Sequence, residues 1–448
     1  MDTRCQTLDD RYDERRYGLT VAPRSLPASV GQRLLGIIDH YRADHGALNC
    51  PLLCRVTGDV DLTALEAALT GLTARHEALR TTFAGRGPRL SQLVHDPRPV
   101  ALRVVDLRGE PDPHAAADAA VTAELATRVD VAQWPTRATA WRVTDHEVVL
   151  CFTMHHLVTD AWSCGLLFEE LRALYARQRG LPAELPPVRW QYGQFVTWQE
   201  QRLAGDDLER QREFWRTQLT GLRLPRLPYR EPPPGATPGV LGGDLDAEVA
   251  GAMRELARRH RMTLFTVALA VYYAVLHRVT GQGDLAVASL FANRTRPEIQ
   301  RTVGFCANMV VLRTRLPPFA TFESLLRATH ATTAAAFANQ EQPYQAVPTG
   351  SANLGGRVDD VVFQMMAELA HRVHVGGTEF ELLVPEAIGS RFGTELAVAP
   401  RGHGLRVLLF HTPRLAPADA ERLLDGYLTV ARAAVAEPGA PLSALLRR

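Results

Sequence analysis

"MHHLVTDAWS", residues 154–163, sets two adjacent histidines at the end of an apolar run and an aspartate four residues after the second. The run itself, "EVVLCFTMHH" (147–156), is continuous and rich in β-branched residues, the pattern of a strand buried on both faces. Side chains alternate along a strand. If the strand reaches His156, then His155 and His156 point in opposite directions, one toward a cavity and one into the protein. Spacing alone does not say which. Asp160 follows at a tight turn. After it, "AWSCGLLFEELRALYARQ" carries Leu167, Leu171, Leu174 and Tyr175 at helical spacing. A carboxylate at such a turn can bind an arginine or an imidazole and fix the loop. A neutral histidine is a sound general base toward an amine or alcohol.

Read alone, the pair is most often structural. A metal site needs three or four converging ligands. Opposed faces split this pair, and no second His/Cys cluster has metal spacing, so no metal is expected. His155 and Asp160 also fit the HxxxxD spacing of glycerolipid acyltransferases. That likeness lacks an EGTR-like stretch and a membrane anchor.

The surrounding chain narrows the options. At 448 residues it is too long for one simple core, and two lobes are expected. Charge is balanced at +1, with no basic stripe, which argues against a nucleic-acid partner. All 50 cations are arginine. With the heavy alanine usage, this points to a GC-rich bacterial coding sequence, and it removes any lysine nucleophile or Schiff base. Six cysteines, at 5, 50, 54, 151, 164 and 306, form no CxxC pair, and "CPLLC" (50–54) reads as core packing. The charged N-terminus has no signal core, and "MTLFTVALAVYYAVL" (262–276) is too short to span a bilayer. A cytoplasmic protein with reduced thiols and no membrane contact is expected.

Residues 1–24 read as a loose segment, 25–180 as an N-terminal lobe and 181–448 as a C-terminal lobe. Proline-rich crossings lie near 181–188 and 224–239. A helix opens near Ser29 and "PLLCRVTG" follows as a strand. Leu62, Leu65, Leu69 and Leu72 make one apolar helical stripe with Asp61 as N-cap. In the second half, a helix over 262–278 leads to strands "DLAVASLF" (284–291), "VGFCANMVVLR" and "GLRVLLFH", then a C-terminal helix. "LGGRVDD" and "VGGTEF" lack the serine of a carrier attachment site, so no prosthetic arm is expected on the chain.

Taken together, these stretches resemble the condensation domains of nonribosomal peptide synthetases. "MHHLVTDAWS" follows the family's HHxxxDGWS, and "RHEALRTTF" (75–83) matches RHExLRTxF throughout. "YGQFVTWQ" (192–199), "FW" (214–215), "ANRTRPEIQRTVGFCANMVVLR" (292–313, against VGxFVNTxxxR) and "NQEQPYQAV" (339–347) follow in the family's order. The likeness spans about residues 25–448.

The resemblance implies a chloramphenicol acetyltransferase-like α/β fold: two similar lobes in a V-shaped pseudo-dimer with a channel between them. It implies an acyltransferase that joins a carrier-tethered acyl or aminoacyl thioester to an amine or alcohol. It casts His156 as the catalytic base, with His155 packed inward. Asp160 becomes a structural carboxylate paired with an arginine. Arg80 is the first candidate partner and Arg75 the second. Ala161, Trp162 and Ser163 continue the motif, and Asn308, Cys306 and Met309 fall at the channel wall. No bound cofactor is implied; phosphopantetheine would arrive on peptidyl or acyl carrier proteins at both channel mouths. A small-molecule acceptor is compatible with this, and a monomer is expected.

The departures are specific. Ala161 replaces the family glycine, which forbids an easy positive φ and adds a methyl near the base. In VGxFVNT, Phe becomes Cys306, Val becomes Ala307 and Thr becomes Met309. "SVGQRLL" matches SxAQxRLW only in part, with the glutamine kept as Gln32 and the arginine out of register. RDxSRNP is not visible, and "VVFQMMAE" (361–368) lacks the asparagine of VxFxxxN. The chain starts at Met1 without adenylation or carrier segments. That suits a free-standing member, or a piece cut from an assembly line. Two alternatives stand beside condensation: an acyl-CoA-dependent acyltransferase of the same fold, and a non-catalytic carrier-docking module.

Overall fold

The computed structural model describes residues 22–41, 46, 48–316, 320–343, 357–366, 372–383 and 392–446. Residues 1–21 of the expected loose segment lie outside this set. So do residues 344–347 of "NQEQPYQAV", 354–356 of "LGGRVDD" and 367–368 of "VVFQMMAE".

The first half runs β1 (Arg24–Pro27), α1 (Val30–Tyr41), β2 (Asn49–Gly58), α2 (Leu62–Arg75), β3 (Thr81–Ala84), β4 (Ser91–Val94), β5 (Leu102–Asp106), α3 (Pro113–Ala126), β6 (Thr136–Thr144), β7 (Glu147–His155) and α4 (Ala161–Gln178). Asp61 caps α2 as expected, accepting from Ala64 N–H at 2.9 Å. Helices α5 (Tyr192–Ala204) and α6 (Glu209–Leu219) follow. The second half continues with β8 (Gly239–Leu245), α7 (Ala247–Arg259), α8 (Leu264–Thr280), β9 (Asp284–Phe291), β10 (Asn308–Arg315), α9 (Phe322–Ala338), β11 (Val361–Met365), β12 (Arg372–Val375), β13 (Thr378–Leu383), β14 (Thr394–Arg401), β15 (Gly404–His411), α10 (Pro417–Ala436) and α11 (Leu442–Leu445).

Two six-stranded sheets organise the lobes. The N-terminal sheet has the order β12-β13-β2-β7-β6-β5 and the C-terminal sheet β10-β9-β11-β14-β15-β8; a small sheet β1-β4-β3 stands apart. Strand β7 is central and buried on both faces. Leu150, Phe152 and Met154 face α2 and α4 with Leu52, Cys54 and Val56 of β2. Val149 and Cys151 face α3 with Leu53 and Trp141. Its far end is therefore held from both sides, and that end carries the histidines. In the C-terminal lobe, residues Thr266–Leu276 of α8 are buried between the sheet and neighbouring helices. Among the described residues no single helix is long and apolar enough to cross a membrane; α7 and α8 pass such a test only as a pair bent by 110°.

The expected lobe boundary needs correction. Strands β12 and β13 (372–383) belong to the N-terminal sheet, with Phe380 opposite Val56 of β2. The reason is physical. The β2 edge would otherwise expose a row of unpaired backbone groups. Phe380 is also fully buried in the N-terminal core, a burial worth roughly 2–3 kcal/mol. Tyr192, Phe195 and Val196 of α5, and Ile299, Val303 and Cys306 of the β9–β10 connection, enter the same core. The proline-rich 181–188 crossing is exposed to half-buried, as expected. Residues 224–239 are less so: Leu227 is buried in the C-terminal core, and Tyr229 Oη–H donates to Asp360 O at 2.6 Å.

Candidate active site

Strand β7 ends at His155, opposite Asn49 of β2, rather than at His156. The chain then turns, with His156 N–H donating to Leu48 O at 2.8 Å and Val158 N–H to His155 O at 3.0 Å. The two imidazoles are held in opposite tautomers. Nδ1 of His155 accepts from Leu157 N–H at 3.1 Å, which leaves the proton on Nε2, 3.6 Å from Asp39 Oδ1. Burial alone would raise the Asp39 carboxyl, but His155 and Arg128 beside it hold it below its ordinary value. His155 thus packs inward against α1. His156 Nδ1 lies 2.9 Å from Thr159 O. A carbonyl only accepts, so Nδ1 carries the proton and the neutral ring keeps its lone pair on Nε2. The ring of His156 also meets Phe305 edge-on, centroids 5.6 Å apart at 89°.

Asp160 is the N-cap of α4 and sits in a knot of donors. Its Oδ1 accepts from Ser163 N–H at 2.8 Å and Ser163 Oγ–H at 2.7 Å. Arg294 grips it with both terminal nitrogens, Nη1 to Oδ2 at 2.9 Å and Nη2 to Oδ1 at 3.0 Å. Cys306 N–H and Ala307 N–H each reach Oδ2 at 3.1 Å. Burial raises the carboxyl, but the Arg294 charge and the Arg294 and Ser163 hydrogen bonds outweigh it, so Asp160 stays ionised below the usual carboxylate range. Burial likewise lowers Arg294, and the Asp160 charge more than restores it.

The arginine expected beside Asp160 is therefore misassigned. Arg80 donates to His95 O and lies 4.0 Å from Glu77, anchoring the small sheet. Arg75 bonds Glu170 Oε2 at 2.7 Å and the carbonyl of Pro186. Arg294 comes instead from the β9–β10 connection, 134 residues downstream of Asp160. The "RHEALR" stretch braces the lobes. Glu170, fully buried on α4, takes Arg75, His76 Nε2 at 2.7 Å and Arg301 Nη2 at 3.0 Å.

The remaining positions fall as follows. Ala161 opens α4 on the surface and adopts no positive φ; among non-glycine described residues only Arg261 and Asn293 do. The family glycine is not needed for this turn. Trp162 is 44% exposed, its Nε1–H donating to Gln300 O at 2.9 Å. Ser163 Oγ accepts from Gly304 N–H at 3.1 Å and contacts Gly304 O at 3.1 Å. The Cys306 side chain does not line a wall: it is buried in the N-terminal core, which pushes its thiol up to about 12. Asn308 is buried at the start of β10 and donates to Gln340 O at 2.6 Å. Met309 packs with Ala288, Val362 and Phe392 on the face of the C-terminal sheet turned away from α8. Gln32 ties α1 to the histidine turn, its Nε2–H donating to Leu157 O at 2.9 Å. Among the described residues no group of three His, Cys, Asp or Glu side chains is placed to hold a metal.

Arg294, Phe305 and Tyr192 were not legible as site residues. Arg294 shares its segment with Arg296 and Arg301, and nothing local marks it out. Asn293 before it adopts φ +53°, in the left-handed region that this residue type tolerates.

Two sheet-based lobes, joined through the β9–β10 connection at a buried His-His-Asp turn, define a chloramphenicol acetyltransferase-like acyltransferase fold. The condensation-domain family model matches residues 24–446, and the chain belongs to that family. It is 32% identical over 429 residues to a component of the linear gramicidin synthase of Brevibacillus parabrevis, covering 92% of this chain but 8% of that protein. The first condensation domain of the calcium-dependent antibiotic synthetase superposes with a TM-score of 0.81 at 20% identity, over 94% of this chain and 98% of that one. The SgcC5 protein from Streptomyces globisporus, solved with a naphthyl ethanediol, gives 0.78 at 25% identity, over 93% and 100%.

Proposed function

We propose that this chain condenses a carrier-tethered acyl or aminoacyl thioester with an amine or alcohol, and that His156 is the base. The observation that carries the reading is the Nδ1–H···O=C bond from His156 to Thr159, which orients the ring and keeps the lone pair on Nε2. The acceptor nitrogen or oxygen attacks the thioester carbonyl while Nε2 takes its proton. The first-turn N–H groups of α4 at Ala161 and Trp162 offer donors to the developing oxyanion. The tetrahedral adduct then expels the pantetheine thiolate, which recovers the proton from the imidazolium. The thioester is already activated, so neither ATP nor a metal is called for. Holding two tethered reactants together supplies much of the rate. The diol bound to the SgcC5 protein supports keeping alcohols among the acceptors.

The test presents one donor acyl group either on a carrier protein or on CoA, adds amine or alcohol acceptors, and follows product by mass spectrometry. Product from the carrier-bound donor alone supports the proposal. Equal use of CoA would replace it with a CoA-dependent acyltransferase. No product with retained carrier binding would replace it with a docking module.

A further inference from the structure

We infer that Phe305 is a positioning residue for His156, and that Asp160 acts on the imidazole from two sides, one of them through Phe305. The inference rests on His156 being the base. From one side the link is direct: Thr159, which accepts the Nδ1 proton, immediately precedes Asp160 in the chain. From the other side it runs across the lobe junction. The carboxylate holds the backbone N–H groups of Cys306 and Ala307, and Ser163 Oγ, itself bound to Asp160, holds Gly304 N–H. Phe305 lies between these anchored residues, so its backbone is held on both sides.

Three further contacts aim that ring. Tyr192 Oη–H donates to Phe305 O at 2.7 Å. Gly304, at φ +152°, lies so close to the Tyr192 ring that a Cβ there would fall 2.0 Å from it. Gly31 of α1 lies against the ring: a Cβ on Gly31 would sit 2.8 Å from Phe305 Cε1. The ring thus touches both α1 and the imidazole, which it meets at 89°. Edge-to-face pairs are favourable and directional, so the ring adds a restraint on the imidazole's rotation beside the hydrogen bond at Nδ1. Residue 305 falls at the unspecified x of VGxFVNT, so the motif itself does not prescribe the contact. It also sets the space beside the imidazole into which an acceptor must fit.

The test compares Phe305→Leu and Phe305→Tyr with wild type in the full chain. Histidine side chains are labelled with ¹³C and ¹⁵N, and the His156 signals are assigned by their loss in His156→Ala. Wild type and Phe305→Tyr should show ring-current-shifted His156 protons and ¹⁵N shifts of one tautomer. Phe305→Leu should lose the shift and mix tautomers, with kcat about tenfold lower and KM within about twofold, the upper end for such a pair. Gly31→Ala, which keeps a good helix residue, should move the same His156 signals by pushing the ring forward. Unchanged His156 signals in both Phe305→Leu and Gly31→Ala would overturn the inference whatever the activities. Shifted signals together with an active His156→Ala enzyme would leave the positioning intact and refute the catalytic reading instead.

Discussion

Replacing Arg294 with methionine should destabilise the protein by about 3 kcal/mol, and this follows from the geometry of one carboxylate. Asp160 and Arg294 are both buried and meet through two bonds of 2.9 and 3.0 Å. Removing one partner of such a pair typically costs about 3–5 kcal/mol, because the other charge is stranded. The lower end applies here, since Ser163, Cys306 N–H and Ala307 N–H remain on the carboxylate. Asp160→Asn should cost more, about 4–5 kcal/mol, because it strands Arg294 and turns an amide donor toward backbone donors. The assay is urea unfolding followed by tryptophan fluorescence for both single variants and the double. Contacting residues are not additive, so the double variant should be at least about 1.5 kcal/mol more stable than the summed costs imply. With Arg294 gone the burial effect on Asp160 is opposed only by the remaining hydrogen bonds and its carboxyl rises from the wild-type position, so the Arg294→Met deficit should shrink as the pH is lowered. Arg80→Met is the control: combined with Asp160→Asn it should add without coupling. An Arg294→Met protein within about 1 kcal/mol of wild type, or strong coupling of Asp160 to Arg80, would refute the assignment.

Three other expectations follow from the same contacts. Burial would raise the Glu170 carboxyl, but bonds from His76, Arg75 and Arg301 bring it from 4.5 down to about 2. A depressed carboxylate stabilises above its unfolded pKa, so about 3 kcal/mol present at neutral pH should be lost as pH falls from 4.5 to about 2, and urea titrations of Glu170→Gln should lack that step. Gly304→Ala should cost about 2–4 kcal/mol or prevent folding, through the clash with Tyr192 and the positive φ, and Gly304→Ala with Tyr192→Leu should recover part of it by thermal melting. Ala161→Gly should shift Tm by no more than about 2 °C and kcat by less than about threefold, since this surface residue is already helical without glycine; a larger kcat change would assign the methyl a place in the acceptor path.

How much of this the chain reveals in one dimension depends on the range of each interaction. Helix α2 with its Asp61 cap, strands β9 and β15, and the burial of β7 on both faces are local patterns, and they emerged where periodicity placed them. His155 and His156 were separable because alternation is local too, although the strand stops one residue early and the turn completes the split. The partner of Asp160 is a different matter. Arginine is the only cation in the chain, so residue type does not discriminate, and the true partner arrives over a loop from the other lobe. The same holds for Phe305, whose importance comes from Gly31 and His156, remote from it in sequence. The β12–β13 hairpin escaped assignment for a similar reason. Its short strands carry ordinary alternation, and only the open edge of β2 decides which sheet they join.

The central claim, that His156 is the base of a condensation reaction, is tested most directly by single-turnover product formation from a carrier-bound donor in wild type and His156→Ala. A rate lower by about 10²–10⁴-fold in a variant that melts at the wild-type temperature is the predicted result. Near-normal turnover by folded His156→Ala would contradict it.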